Sequence, residues 1–235
     1  MDVKQVVAKL QWRCQGKYRL RSYLTDYLTN CLTYCQPIQI ITLWCLSRSL
    51  SDRFLEGFIS PLNKEVKVIQ EMKWLHELLA ELGCTVMHYI YLVGSSSDRG
   101  FLDESVSRSY EAMLKKIIET ANLDAVVEQR EVALVDKDVL FKMEVIKNSR
   151  AWEIELDRRF NLAEKHNYSL SPEQAYQETY KSVAVKMSEA RSLVVEWGDF
   201  IVLPVESINR YQFHELGQPG FVDRLLPCLT NYPWR

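Results

Sequence analysis

The chain carries none of the short signatures that announce a common chemistry: no G-x-G-x-x-G, no phosphate-cradling P-loop, no G-x-S-x-G elbow and no H-E-x-x-H. The dinucleotide, P-loop nucleotide, serine-hydrolase and zinc-protease readings lose their usual support. It holds only six cysteines, at 14, 31, 35, 45, 84 and 228, with no C-x-x-C and no Cys and His at zinc-ligand spacing. They lie mostly in apolar stretches and read as reduced core cysteines. Cys31 and Cys35 are the nearest pair, but their helical spacing suits neither a disulfide framework nor a complete metal site. No metal and no cofactor is expected. No window approaches ~18 uninterrupted apolar residues, and Met-Asp-Val-Lys-Gln lacks the basic-then-apolar layout of a signal peptide. A cytoplasmic protein without a membrane partner is expected. Glycine (8) and proline (7) are too sparse in 235 residues for collagen or low complexity. A net charge of -2 removes any whole-chain attraction to nucleic acid, although Lys4, Lys9, Arg13, Lys17, Arg19 and Arg21 make the first 35 residues locally basic.

What is present alternates. Residues 17–35 repeat apolar positions at helical spacing, from Tyr18 and Leu20 to Cys31 and Leu32, and Pro37 ends that helix. Ile38 to Leu46 is apolar except for Gln39 and Thr42, the pattern of a parallel strand covered on both faces. A helix from about Lys64 to Leu82, closed by Gly83, leads to a second buried strand at Cys84 to Val93. A helix near Glu104 to Ala121 and a short strand near Val126 to Leu134 follow. Lys137 to His166 is charged and helical, with Leu140, Ile146, Trp152, Leu156 and Phe160 as its apolar contacts. Ser171-Pro172-Glu173-Gln174 is a capping box that opens a helix through Val194, and Phe200 to Val205 is a closing strand. This order predicts an α/β, Rossmann-like architecture, a mostly parallel sheet with helices on both faces. A single domain over residues 1–235 is expected, with the sheet core at about 36–135 and a helical region with the closing strand at about 136–235.

In such sheets ligands collect beyond the carboxyl ends of the strands. Two hydroxyl-rich loops with a cation stand there, Ser47-Arg48-Ser49 after the first strand and Ser97-Asp98-Arg99 after the second. Adjacent strands would bring them together, so that Arg48, Ser49, Ser97 and Arg99 grip a phosphate or carboxylate. The ordinary alternative is that serines and charges are what surface loops are made of. Asp98, Glu189 and Glu206 fall at element ends near that cleft and are the acid or base candidates, against the plainer reading of solvated carboxylates. His76, His88 and His166 read as structural, and His214 is the least constrained.

Several stretches resemble the pyoverdine/dityrosine biosynthesis family, the isocyanide (isonitrile) synthases. Pro37-Ile38 and Arg48-Ser49 stand at the separation of that family's proline-isoleucine and its Ala-Phe-Pro-x-Lys-Ser loop. Ser60-Pro61-Leu62 before a Glu-bearing helix is similar to its Leu-Pro-Asp turn, and Ser97-Asp98-Arg99-Gly100-Phe101 to its Ser-Asp-Gly-Arg-Val-Phe segment. Ser188-Glu189-Ala190 resembles its late Ser-Glu-Ala, and Pro233-Trp234 its terminal Thr-Pro-Trp-His. Arg48 replaces the family lysine, and Val202-Leu203-Pro204-Val205-Glu206 replaces its Arg-Leu-Ser-Ile-His strand. The resemblance implies a transferase of secondary metabolism that condenses an amino-acid amine with ribulose 5-phosphate to form an isonitrile. Its partners would be an amino acid and a sugar phosphate, with Asp98 or Glu189 moving protons.

Two other readings compete. The chain also resembles tRNA-dependent cyclodipeptide synthases, whose catalytic serine and late Glu-Ala would fall on Ser47 and Glu189-Ala190; tRNA is a partner only there. Cys45 and Leu50 replace the glycine and asparagine of that serine's context, and Val185 stands where a tyrosine is expected. The third reading is a catalytically degenerate Rossmann-like domain that binds a small anion or a protein. Activity and oligomeric state are left open by all three.

Overall fold

A computed structural model describes residues 1–10, 18–45, 63–93, 104–130, 143–144, 146–147, 149–165, 169–205, 221 and 223–226. Helix α1 (Val3–Leu10) opens the chain and buries Val6, Val7 and Leu10. It was not expected, yet its signal is in the sequence: Asp2 and Gln5 cap each other's backbone amides at 2.8 and 3.0 Å. Helix α2 (Tyr18–Thr33) buries Leu24, Tyr27, Leu28 and Cys31, and strand β1 (Ile38–Cys45) follows. Then come α3 (Asn63–Ala80), β2 (Val86–Val93), α4 (Glu104–Thr120), β3 (Val126–Arg130), α5 (Arg150–Lys165), α6 (Pro172–Trp197) and β4 (Ile201–Pro204). Gly83 ends α3's extension at φ +81, as its position after Leu82 predicts.

The strands form one four-stranded sheet in the order β3-β2-β1-β4, with every pair parallel. Strand β1 is the hub. Its residues from Ile38 to Cys45 pair with Val86 to Val93 of β2, and Ile40 to Leu43 also pair with Ile201 to Pro204 of β4. Alternation then divides it between two apolar layers. Ile38, Ile40 and Trp44 pack with α1, α2, α3 and α4, and Ile41 packs with Phe200, Val202 and the last turns of α6. The sheet is therefore covered on both faces, and the α/β class read from the sequence holds.

At 26 residues α6 is ~39 Å long, longer than the strands it covers. Its capping box is formed as read: Ser171 Oγ accepts from the Gln174 amide at 3.2 Å and Gln174 Oε1 from the Ser171 amide at 3.0 Å. Only Ala190 to Trp197 belong to the layer on the sheet. Val183, Ala184 and Met187 instead pack with Trp152 of α5 and with Met143 and Ile146. Phe160, expected among α5's buried contacts, is 40% exposed. The face that α5 turns toward α6 runs through Trp152, Glu155, Arg159 and Ala163, and its middle is ionic. Glu155 and Arg159 are both 1% exposed. Glu155 accepts from Ser182 Oγ of α6 at 2.9 Å and pairs with Arg158 at 2.7 Å, and Arg159 lies 3.8 Å from Glu178 of α6.

The core also holds a neutral polar pair between neighbouring strands. Thr42 of β1 and His88 of β2 point into the same layer and their side chains meet at 2.7 Å. Burial, and secondarily the neighbouring His76, push the His88 pKa down to about 3.

Two outcomes follow from these buried polar groups. Glu155→Leu removes the acceptor shared by Arg158, Arg159 and Ser182 and is expected to lower stability by about 3 kcal/mol, read as a drop in the urea midpoint. Val195→Ala, at a 78% exposed position of α6, stays within about 0.5 kcal/mol. For His88 the unfolded chain takes up a proton below pH 6.5 that the folded chain refuses until about 3. Stability is thus full above 6.5 and falls as pH drops through that window, by about 1.4 kcal/mol per pH unit from this group. A Thr42→Val/His88→Leu double variant should lose that component of the slope when unfolding is measured from pH 7 to 4.

Candidate functional site

The strand order reverses at β1: β2 and β3 extend the sheet to one side and β4 joins on the other. In an open parallel sheet the crevice at such a reversal, outside the carboxyl ends, is where ligands sit. The ends of β1 and β2 lie side by side there, since Cys45 and Val93 are register partners, and Arg130 ends β3 beside Val93. The segments that follow β1 and β2 thus leave the sheet from neighbouring points on one edge. Ser47, Arg48, Ser49, Ser97, Asp98 and Arg99 fall on those segments, outside the described residues, as do Glu206, His166 and His214.

Two polar groups flank the edge, one on each face of the sheet. On the face covered by α3 and α4, Trp44 Nε1 donates to Tyr110 Oη at 3.1 Å, and Tyr110 donates in turn to Glu65 Oε1 at 3.1 Å. All three side chains are buried. Glu65 lies in the first turn of α3, where the helix's exposed amides favour negative charge. The donors run one way, from indole to phenol to carboxylate, and this fixes both rings and leaves the carboxyl group as the acceptor at the end of the chain. Sequence reading noted a Glu-bearing helix but did not single out Glu65. Its place in the first turn of the helix that follows the β1 loop was the available signal.

On the opposite face, Arg130 reaches from the end of β3 to α6. Its Nη2 donates to Ser192 Oγ at 3.0 Å and to Glu196 Oε2 at 2.7 Å, and the guanidinium carbon stands 4.9 Å from the centre of the Tyr91 ring. Burial opposes the charge of Arg130, and the bond and field of Glu196, with Tyr91 and Glu189 beyond, outweigh it and hold the group protonated. Burial, tempered by Arg130, pushes the Tyr91 hydroxyl up, so it stays a neutral phenol. Tyr89 and Trp197 complete an aromatic wall, their rings 4.6 Å apart. Glu189 stands half-buried one turn before Ser192, within the field of Arg130. One sequence-derived candidate, Glu189, thus lies within the electrostatic reach of a cation the sequence reading passed over. Arg130 is a cation near the carboxyl end of a strand, the rule that picked Arg48 and Arg99, but the sequence reading drew this strand to about Leu134, into residues outside the described ones, and did not consider Arg130.

His88 is held by Thr42 in mid-sheet, away from this edge, consistent with a structural role. No cluster of three or more His, Cys, Asp or Glu side chains able to hold a metal occurs among the described residues. No helix among them is long and apolar enough to cross a membrane.

No protein-family model and no curated protein matches the chain. Among solved structures it is similar to the crystal structure of the PvcA protein from Pseudomonas aeruginosa, with a TM-score of 0.60 and 11% sequence identity, over 86% of this chain and 80% of that one. At that identity the likeness establishes a shared α/β fold across most of both chains.

Proposed function

We propose that this chain is an isocyanide-synthase-like enzyme of secondary metabolism, condensing an amino-acid amine with ribulose 5-phosphate to form an isonitrile. The observation that carries this reading is the fold shared with PvcA over 86% of the chain, because the residues resembling the isocyanide-synthase family recur along the same length in family order. The neighbouring ends of β1 and β2 support it as well, since the proposed anion-holding residues follow directly after them. In this reading Arg48 and Arg99, with Ser49 and Ser97, hold the sugar phosphate and the amino-acid carboxylate. The amine attacks the ketone carbon, and Asp98 or Glu189 carries the protons released and taken up as the imine forms. Arg48 stays protonated where the family lysine stands, so it binds and orients rather than moves a proton. Ser47 is a nucleophile only in the cyclodipeptide reading.

One observation favours a second reading, anion binding without turnover. The β4 segment that departs from the family strand is apolar: Val202 and Leu203 are fully buried and Pro204 is buried beside Leu43, where the family carries an arginine and a serine.

Incubating the protein with each amino acid and ribulose 5-phosphate, followed by mass spectrometry for an isonitrile, separates the two. Product is expected, with Glu189→Gln or Asp98→Asn lowering turnover by roughly 10²- to 10⁴-fold and Arg48→Met raising KM for the sugar phosphate. Absence of product from every amino acid, with phosphate-ester binding still measurable by calorimetry, overturns synthesis in favour of binding. Steeply salt-dependent binding of tRNA is the result that would favour the cyclodipeptide reading.

A further inference from the structure

At the other end of the sheet, three thiols gather where α2 turns into β1. Cys31 is buried in the last turns of α2, and its Sγ is 3.8 Å from the Pro37 carbonyl. Cys35 follows in a left-handed conformation, φ +52, and is exposed. Cys84 stands two residues before β2, partly exposed, against the layer that contains Cys31. The two accessible thiols share this end of the sheet. Ile38 and Val86 are register partners, and the Ile38 amide donates to the Thr85 carbonyl at 2.8 Å, so the segments leading into β1 and β2 arrive at neighbouring points. Cys35 and Cys84 line one cavity of about 460 Å³ with Leu32, Gln36, Pro37 and Gly83. The preceding Gly83, at φ +81, sets the direction from which Cys84 arrives. The expectation of core cysteines holds for Cys31, and fails for Cys35 because the helix has already ended when the chain reaches it.

We propose that Cys35 and Cys84 form an exchange-competent thiol pair, a modification site for low-molecular-weight disulfides such as glutathione disulfide. The Cys35 thiolate attacks one sulfur of the oxidant, forming a mixed disulfide and expelling one glutathione thiolate. The Cys84 thiolate, its proton lost to solvent, then attacks the Cys35 sulfur and expels the second. Two protein thiols and one glutathione disulfide become one protein disulfide and two glutathione thiols. Burial, and then Cys35 itself, push the Cys84 thiol up, so resolution is the slow step and quickens as pH rises. Cys31 takes no part, being buried against the Pro37 carbonyl. The new bond encloses β1 and α3 in a covalent loop, for which a rise in Tm of roughly 10 °C is expected. None of this depends on the reaction proposed for the carboxyl edge.

The test uses the full chain, reduced, freed of reductant and incubated natively with glutathione disulfide. Peptide mapping without reduction should find Cys35 joined to Cys84, and Cys84→Ser should trap glutathione on Cys35. Faster conversion of adduct to disulfide between pH 7 and 9 should accompany it. A persistent glutathione adduct on Cys35 in the wild-type chain, free Cys35 and Cys84 after incubation, or a Cys31 linkage would each overturn the proposal. The wild-type map decides this even where a serine variant folds poorly, and Cys84→Ala offers a second trapping variant.

Discussion

Everything in this fold is organised by one strand that must satisfy neighbours on all four sides. Residues Ile38 to Cys45 exchange backbone hydrogen bonds with β2 on one flank and β4 on the other, while both faces are covered by helices. A strand in that position has no solvent-facing side on which to place polar residues, so its sequence loses alternation and becomes nearly all apolar. Its polar residues are Gln39, which is partly exposed, and Thr42, which is fully buried and can be so because His88 stands within hydrogen-bonding distance across the sheet. Because β1 is also where the strand order reverses, the same constraint that makes it apolar sets the crevice beyond its carboxyl end.

Local pattern made the α/β class and most elements legible. The capping box at Ser171, the left-handed turn at Gly83, the start of β1 and the ends of α3 and α4 were readable to within about two residues, each because it depends on neighbours a few positions away. What failed depended on distant partners. The buried stripe of α5 is charged at its centre, so a search for apolar periodicity drew it through Phe160 instead of Arg159. Glu155 and Glu178 approach the buried Arg159, and Glu178 lies on another helix. The juxtaposition of Cys35 with Cys84 is another case: the sequence offered only the i, i+4 relation to Cys31.

The candidate site shows the same division. Placing loops beyond the carboxyl ends of β1 and β2 needed only strand recognition and the general rule for parallel sheets. Finding Glu65, Tyr110 and Trp44 as one connected group needed the packing of α3 and α4 against the end of β1, which no spacing within a single segment reveals. Glu189 was chosen as falling near an element end close to the cleft; it stands instead within α6, and its electrostatic link to Arg130 emerged only from the packing of that helix over β3.

The flank of β4 has a consequence for how the molecule behaves in a crowd. The Val202 amide donates to the Arg224 carbonyl at 2.9 Å, the Leu226 amide donates back to the Val202 carbonyl at 2.8 Å, and Pro204 has no amide to offer. A short return of the chain and an imino acid together occupy the hydrogen-bonding positions that a passing strand from another molecule would otherwise recruit. Along this border of the sheet Val202 and Pro204 therefore offer no free amide to edge-to-edge growth.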